Sequence, residues 1–236
     1  MGLAEWIDWK IRKIYIKINF SLYLMIKNLV LEHKGGYYNY KTHEVKIDSL
    51  CGNFPSLSGF LGEMFINCPN NYFNHGPRSS ALKFTLNNLN LHQVKGHEMS
   101  DLAKQGLIFN KDAFREAHPR VQTFLLENDD KTIAMEVPIW LNPNELDKRA
   151  KMNSPLTGHI DILRLEDGKI WVWDYKPNAF EEKYAATQVY FYALMLSKRT
   201  NISLDNFRCG YFDVKYSYMF KPELKQLDGK SLLEFS

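Results

Sequence analysis

Three charged residues at the far end of one short segment carry the first chemical signal. The segment is TGHIDILRLEDGKIWVWDYKP, residues 157–177. Asp-Gly between two β-rich runs is a strong hairpin signal. With Asp167 and Gly168 at the turn, Glu166 faces Lys169, Leu165 faces Ile170, Leu163 faces Val172 and Asp161 faces Asp174. Opposed residues on one face of such a pair have Cβ atoms about 4.5–5.5 Å apart. Lys176 lies two residues past Asp174 and shares its side, whereas Trp171, Trp173 and Tyr175 point to the other. The pattern predicts two aspartates and a lysine gathered at the end of an otherwise apolar face.

Like charges directly opposed on a strand pair destabilise it, and poor solvation near an apolar face raises the cost. Three arrangements would offset this: a shared proton, neutralisation by Lys176, or a divalent cation. The cation accounts for most of the pattern. Hard oxygen ligands on rigid elements suit Mg²⁺ or Mn²⁺. A carboxylate pair beside a lysine is also what metal-assisted phosphodiester hydrolysis requires. The metal acidifies a water and neutralises phosphate charge, and the ammonium holds that water or stabilises developing charge.

The elements that must hold these residues follow from periodicity. DAFREAHPRVQTFLLEN, residues 112–128, reads as helix, with Phe114, Ala117, Val121, Phe124 and Leu125 on one face. Pro119 either breaks it or starts a second piece, because proline is tolerated in a first helical turn and not in mid-helix. KTIAMEVPIWL reads as a strand, NPNELDKRAKMNSP as a polar loop, EEKYAATQVYFYALMLSKR as a helix and FRCGYFDVKYSY as containing a strand. Helix, three strands, helix, strand is an α/β or α+β order.

Upstream, Ala4, Ile7, Ile11, Ile14, Ile18, Leu22, Met25 and Leu29 recur at steps of three and four. They predict a long amphipathic helix ended by HKGG at 33–36. That helix packs on its own domain, pairs two subunits or lies on a membrane surface. Lys17 and Lys27 make it a poor membrane span. Residues 35–80 are rich in Tyr, Asn, Gly, Ser and Pro and read as loops with one short helix near SGFLGEMF; the Glu63 it carries reads as a surface residue. Residues 81–107 read as mostly helical.

Composition narrows the class further. Hydrophobic residues make up 45% of the 236 and charged residues 24%, a globular balance. The net charge of +3 permits a nucleic-acid partner without demanding one. Cys51, Cys68 and Cys209 are too few and too scattered for a disulfide scaffold or a four-cysteine metal site, and read as reduced thiols of a cytoplasmic protein. The N-terminus has acidic residues and lacks the pattern of a secretory signal.

At the hairpin and the helix after it, the sequence resembles the PD-(D/E)XK nuclease superfamily, in its RecB-like and Cas4-like branch. The resemblance runs from about His118 to Tyr192, nearly a third of the chain. GHID at 158–161 resembles the family's G-x-x-D element and puts Asp161 on the metal-binding aspartate. WDYK at 173–176 resembles D/E-x-K and puts Asp174 on the second metal ligand and Lys176 on the catalytic lysine. The Tyr175 carbonyl falls on a frequent further ligand. Gln188 and Tyr192, one helical turn apart, match Q-x-x-x-Y. Glu136 in AMEVPIW resembles the acidic residue of the first core strand, and His118 the helical histidine ligand of RecB-like members. His159 would face Lys176 in the same register, as a satisfied or surface histidine or as a group touching DNA. Three scattered cysteines cannot supply the iron–sulfur cluster that many Cas4-like proteins carry.

The resemblance implies a restriction-endonuclease-like core, a central mixed β-sheet flanked by helices, over 111–236; residues 1–110, outside the resemblance, read as a mostly helical N-terminal elaboration. It implies a Mg²⁺- or Mn²⁺-dependent deoxyribonuclease, endonuclease or exonuclease, acting in DNA recombination, repair or replication; the small size and the Lys- and Asn-rich composition fit a viral or mobile-element setting. Asp161, Asp174, Lys176 and Glu136 would be catalytic. Asp161, Asp174, Tyr175, Glu136 and His118 would hold metal, and Gln188, Tyr192 and His159 would support the site or contact DNA. A nuclease fold used only to bind DNA, and a dimeric junction-resolving enzyme, are the alternatives. A homodimer or higher homo-oligomer is left open. No nucleotide cofactor is expected, because there is no P-loop.

Overall fold

Asp167 and Gly168 have φ of +50° and +65°, the left-handed pair of a two-residue hairpin turn. They join β5 (Leu156–Glu166) to β6 (Lys169–Tyr175) in the expected register, with Glu166 opposite Lys169, Leu165 opposite Ile170 and Leu163 opposite Val172. This hairpin lies at the middle of the sheet in a computed structural model that describes residues 25–145 and 154–227.

The other strands are β1 (Ile26–His33), β2 (Gly36–His43), β3 (His92–Lys95), β4 (Thr132–Leu141), β7 (Phe207–Phe212) and β8 (Tyr216–Phe220). Together the eight form one mixed sheet in the order β1-β2-β4-β5-β6-β7-β8-β3. The helices are α1 (Glu44–Leu50), α2 (Pro55–Asn67), α3 (Asn70–His75), α4 (Glu98–Phe109), α5 (Ala117–Asn128) and α6 (Ala185–Thr200). β6 and β7 pair in parallel, so the chain must cross over between them, and α6 is that crossover. The result is the α+β fold expected for a restriction-endonuclease-like core.

The two faces of the sheet are covered separately, which follows from strand periodicity. Leu163, Leu165, Ile170 and Val172 join the larger core, where α6 contributes Val189, Tyr190 and Phe191 and α2 contributes Leu57, Leu61 and Met64. Ile162, Trp173, Tyr175 and Phe212 face the other way, onto Met99 and Ala103 of α4 and Val121 and Leu125 of α5. Asp174 is therefore on the α6 side and Tyr175 on the α5 side, as alternation requires. α5 begins at Ala117 with Pro119 inside its first turn, so the proline starts this helix rather than breaking one.

Four readings are corrected. Residues 26–33 form β1, not the end of a helix, and Lys34 and Gly35 are the turn of a β1–β2 hairpin, with φ of +48° and +75°. The LVLEH run alternates as well as a helix would, and cross-strand pairing to GYYNYKTH decides it. The earlier part of the apolar stripe, residues 1–24, lies outside the described residues. Residues 35–80 hold β2 and three helices, not mainly loop, so the described part of the N-terminal region carries strands beside its helices. Residues 82–91 carry no helix, and helix resumes only with α4. FRCGYFDVKYSY is two antiparallel strands, turned by Asp213, whose Oδ1 accepts from the amides of Lys215 and Tyr216. Among the described residues no helix is long and apolar enough to cross a membrane. Cys51 and Cys68 are free thiols, and burial pushes both up to about 12.

Arg164 is fully buried on the α4–α5 side, with its Nε 3.4 Å from Asp129 Oδ2. Asp129 also accepts from the amides of Lys131 and Thr132, which fixes the entry to β4. Removing one member of a buried pair strands the other charge, at a cost of about 3–5 kcal/mol. Asp129→Ala and Arg164→Met are each expected to destabilise the protein in urea denaturation, Asp129→Ala by less than that full cost because Glu98 remains 3.4 Å from Arg164.

Candidate active site

The carboxylates form a row. Met135 pairs with Ile162 and Val137 with Ile160, which sets Glu136 of β4 opposite Asp161 of β5. The β5–β6 pairing ends at Ile162–Trp173, and Asp161 and Asp174 are the next residues past that last pair, close enough for each to act on the other's charge. Three acids thus lie side by side on three neighbouring strands, which lie about 4.7–4.9 Å apart. Glu136 has φ of +52°, uncommon for any residue but glycine, so the backbone departs from regular strand geometry at the acid itself. Val137 resumes the pairing.

Each acid carries a mark of crowding. Burial, then Asp174 and Glu136, push the Asp161 carboxyl well above the ordinary range. Burial pushes Glu136 up to about 7; the hydrogen bond from Gln122 opposes the shift and Asp174 adds to it. Asp174 is almost fully buried. Its Oδ2 lies 2.8 Å from the Lys176 Nζ, an ion pair, yet has no well-aligned hydrogen bond. The off-axis approach satisfies charge without using up the oxygen's lone pairs. Asp161 Oδ2 accepts from the Tyr175 amide at 3.2 Å.

Lys176 is held from both sides. Its Nζ donates to Gln188 Oε1 at 3.1 Å, and Gln188 Nε2 donates to the Tyr192 hydroxyl at 2.7 Å. Burial works against its charge, but Asp174 and Asp161 outweigh burial and raise its pKa, so it stays an ammonium at neutral pH. The glycine of GHID is required by the same helix. A Cβ at Gly158 would sit 2.4 Å from the Tyr192 ring, so only glycine lets α6 approach β5 this closely.

α5 supplies the opposite wall. His118 Nε2 is 3.9 Å from Asp161 Oδ2, and its ring meets Tyr175 edge-on at 5.2 Å. Burial lowers its pKa, against Asp174, which raises it. Four residues on, Gln122 donates to Glu136 Oε1 at 2.6 Å. Gln122 is missing from the residues singled out by motif. Its signals were a spacing of four from His118 and a buried amide in an apolar helix, the same oddity that marks Gln188.

His159 is separate from this group. It is buried, hydrogen-bonded to His33 at 2.9 Å and stacked on Tyr38 at 3.8 Å. It is a satisfied histidine. Glu63 is exposed on α2. A surface groove of about 500 Å³ near the C-terminal end of α6, lined by Leu194, Lys198, Asp205 and Glu223, includes none of the acids.

Among the described residues no three His, Cys, Asp or Glu side chains are already closed around one point as a metal cage. The donor set nevertheless fits a hard divalent cation: all-oxygen acids, one with a buried oxygen lacking an aligned partner, two pushed up by burial and by one another.

The raised Glu136 pKa fixes the sign of a pH effect. Its folded carboxyl keeps its proton above pH 4.5, where an unfolded one loses it. The folded state then binds more protons, so stability falls as pH rises from about 4.5 to about 7. In EDTA, Glu136→Gln should melt with a shallower loss of Tm over that window than the native chain, measured by thermal denaturation from pH 5 to pH 8.

No curated protein and no solved structure matches the chain. The family model for the PD-(D/E)XK nuclease superfamily matches residues 87–232, more than half of the chain, including Glu136, the hairpin acids, Lys176 and α6. The chain therefore belongs to the PD-(D/E)XK nuclease superfamily.

Proposed function

We propose that this chain is a Mg²⁺- or Mn²⁺-dependent deoxyribonuclease of the RecB-like and Cas4-like branch, without an iron–sulfur cluster. The observation that carries the reading is the row Glu136–Asp161–Asp174 with the Lys176 ammonium 2.8 Å from its last member. Like charges so close need a cation, and the one lysine in contact neutralises only part of the charge.

Asp161, Asp174 and Glu136, with the Tyr175 carbonyl and His118 at the mouth, would hold the ion. A divalent ion there supplies Lewis-acid chemistry: it neutralises phosphate charge and lowers the pKa of a water. Lys176, an ammonium at neutral pH, acts as donor rather than base. It orients the attacking water and stabilises charge as it develops on the phosphate. The water displaces the 3′-oxygen and leaves a 5′-phosphate. Gln188 fixes the ammonium, and Tyr192 fixes Gln188. Gln122 aims Glu136 and leaves its second oxygen free. Catalysis belongs to residues 111–236, with 1–110 as an elaboration, and the natural setting is DNA recombination, repair or replication inside the cell.

The test uses linear single-stranded, linear duplex, circular and four-way-junction DNA with Mg²⁺, Mn²⁺ or EDTA. Cleavage should require a metal, and Asp174→Ala and Lys176→Ala should each lower it by at least about 10²-fold. Mn²⁺ should also raise the Tm of the native chain and not that of Asp174→Ala. DNA binding in EDTA without cleavage under any metal would make this a nuclease fold used for binding alone.

A further inference from the structure

Beyond the carboxylate row, one cation faces the site without an acid of its own. Arg78 lies in the loop between α3 and β3. Thr157 of β5 pairs with Trp140 on one edge, so its bridge to Arg78 occupies the other edge, the side of β6. β6 ends at Tyr175, and the loop at Pro77–Arg78 takes its place beside β5, with the Thr157 amide donating to the Pro77 carbonyl at 2.9 Å. Arg78 therefore lies along the edge of β5 that β6 leaves unpaired beyond Ile162–Trp173. Residues 157, 159 and 161 share a face. The Arg78 guanidinium reaches His159, which is two residues, or about 7 Å, from Asp161. Arg78 is partly exposed, and no carboxylate among the described residues pairs with it. Its charge is felt at Glu136.

The guanidinium is aimed by a chain of hydrogen bonds that allows one direction. Arginine only donates, so His159 Nδ1, 3.5 Å from Arg78 Nη2, is an acceptor. His159 Nε2 then carries the proton and donates to His33 Nδ1 at 2.9 Å. His33 Nε2 in turn donates to Asn70 Oδ1 at 2.8 Å. Arg78 Nη1 donates to the Tyr38 hydroxyl, and the Tyr38 ring stacks on His159 at 5°. Phe73 stacks beneath His33 at 4.3 Å. Except for His159, every member precedes residue 87, where the family match begins. The N-terminal part of this chain thus builds a rigid mount for one uncompensated cation beside the acids.

We infer that Arg78 binds a phosphate of the nucleic-acid strand next to the scissile bond, and that His159 and His33 are positioning residues that aim it. The inference rests on the nuclease reading for what the neighbouring acids do. A planar guanidinium suits phosphate oxygens, and the acids would repel a phosphate unless cations flank them.

The test separates the two readings. Binding of a fluorescent oligonucleotide is measured by anisotropy against NaCl concentration, without divalent metal, for Asp174→Ala alone and combined with Arg78→Gln, Arg78→Lys or His159→Gln. Arg78→Gln keeps donors for Tyr38 and His159 but drops the charge. It should weaken binding by about three- to tenfold and lower the slope of log K against log salt by about 0.7–0.9, one phosphate contact. Arg78→Lys should keep the slope. His159→Gln, which can accept from Arg78 and donate to His33, should stay near the parent, and His159→Ala, measured in the same background, should fall toward Arg78→Gln. In the otherwise native chain with Mn²⁺, Arg78→Gln should raise KM more than it lowers kcat. An unchanged slope and affinity in Arg78→Gln, with native melting, would overturn the inference while leaving the nuclease reading intact. A native chain that cuts nothing, yet loses the salt slope with Arg78→Gln, would sink the nuclease reading and keep the phosphate site.

Discussion

Electrostatic repulsion among three acids on neighbouring strands governs this structure. Two unit charges about 5 Å apart repel by about 3 kcal/mol at the effective dielectric of a protein site. Three acids side by side face that cost more than once, against a net stability of only about 5–15 kcal/mol for a whole domain. The surroundings answer it in parts. Lys176 neutralises Asp174, Gln122 takes one oxygen of Glu136, and the Tyr175 amide takes one of Asp161. None of these removes the crowding: burial first, and then the neighbouring acids, push the Asp161 and Glu136 carboxyls up. A fold that only needed to be stable would place apolar side chains here. Retaining three acids fits the cation proposed for them.

The same constraint explains the close seat of α6. An ammonium between two acids stays useful only if it cannot swing away into solvent. Gln188 holds it through the amide oxygen, and Tyr192 holds Gln188 through the amide nitrogen. That chain spans the gap between helix and sheet only because Gly158 lets the Tyr192 ring touch the β5 backbone. The glycine and aspartate of GHID therefore belong to one device. One admits the helix, and the other is served by the lysine that the helix fixes.

How much of this was legible depended on sequence separation. The hairpin register could be read to the residue, because a two-residue turn and strict alternation leave one solution. The helix with Gln188 and Tyr192 was legible from a polar residue in an apolar run. The β1–β2 hairpin was not, since IKNLVLEH satisfies helical spacing too, and only pairing with residues 36–43 favours the strand. β3 is four exposed residues with no apolar signature of its own, placed by pairing to β8. Gln122 carried a local signal, four residues from His118. Arg78 carried none. Its meaning comes from His159, which lies 81 residues away, and from His33 and Tyr38, which are close to it only in space.

The ends of two ladders show why the site opens where it does. β2 pairs with β4 at Lys41–Met135 and Thr42–Ala134, and the pairing stops just before Glu136. A left-handed residue there breaks the straight run that a longer ladder would need. On the other side β6 stops at Tyr175. The Lys176 amide bonds to Phe212 of β7, and Pro177 follows with no amide to offer β5. Glu136 thus follows the last β2–β4 pair, and Asp161 and Asp174 follow the last β5–β6 pair, Ile162–Trp173. The free edge of β5 beyond Asp161 is then available to a segment from elsewhere in the chain, and the Pro77–Arg78 loop fills it. A regular sheet continued through these residues would leave no room for that loop beside the acids. Placing the acids at the point where pairing ends is what lets the N-terminal part of the chain reach them.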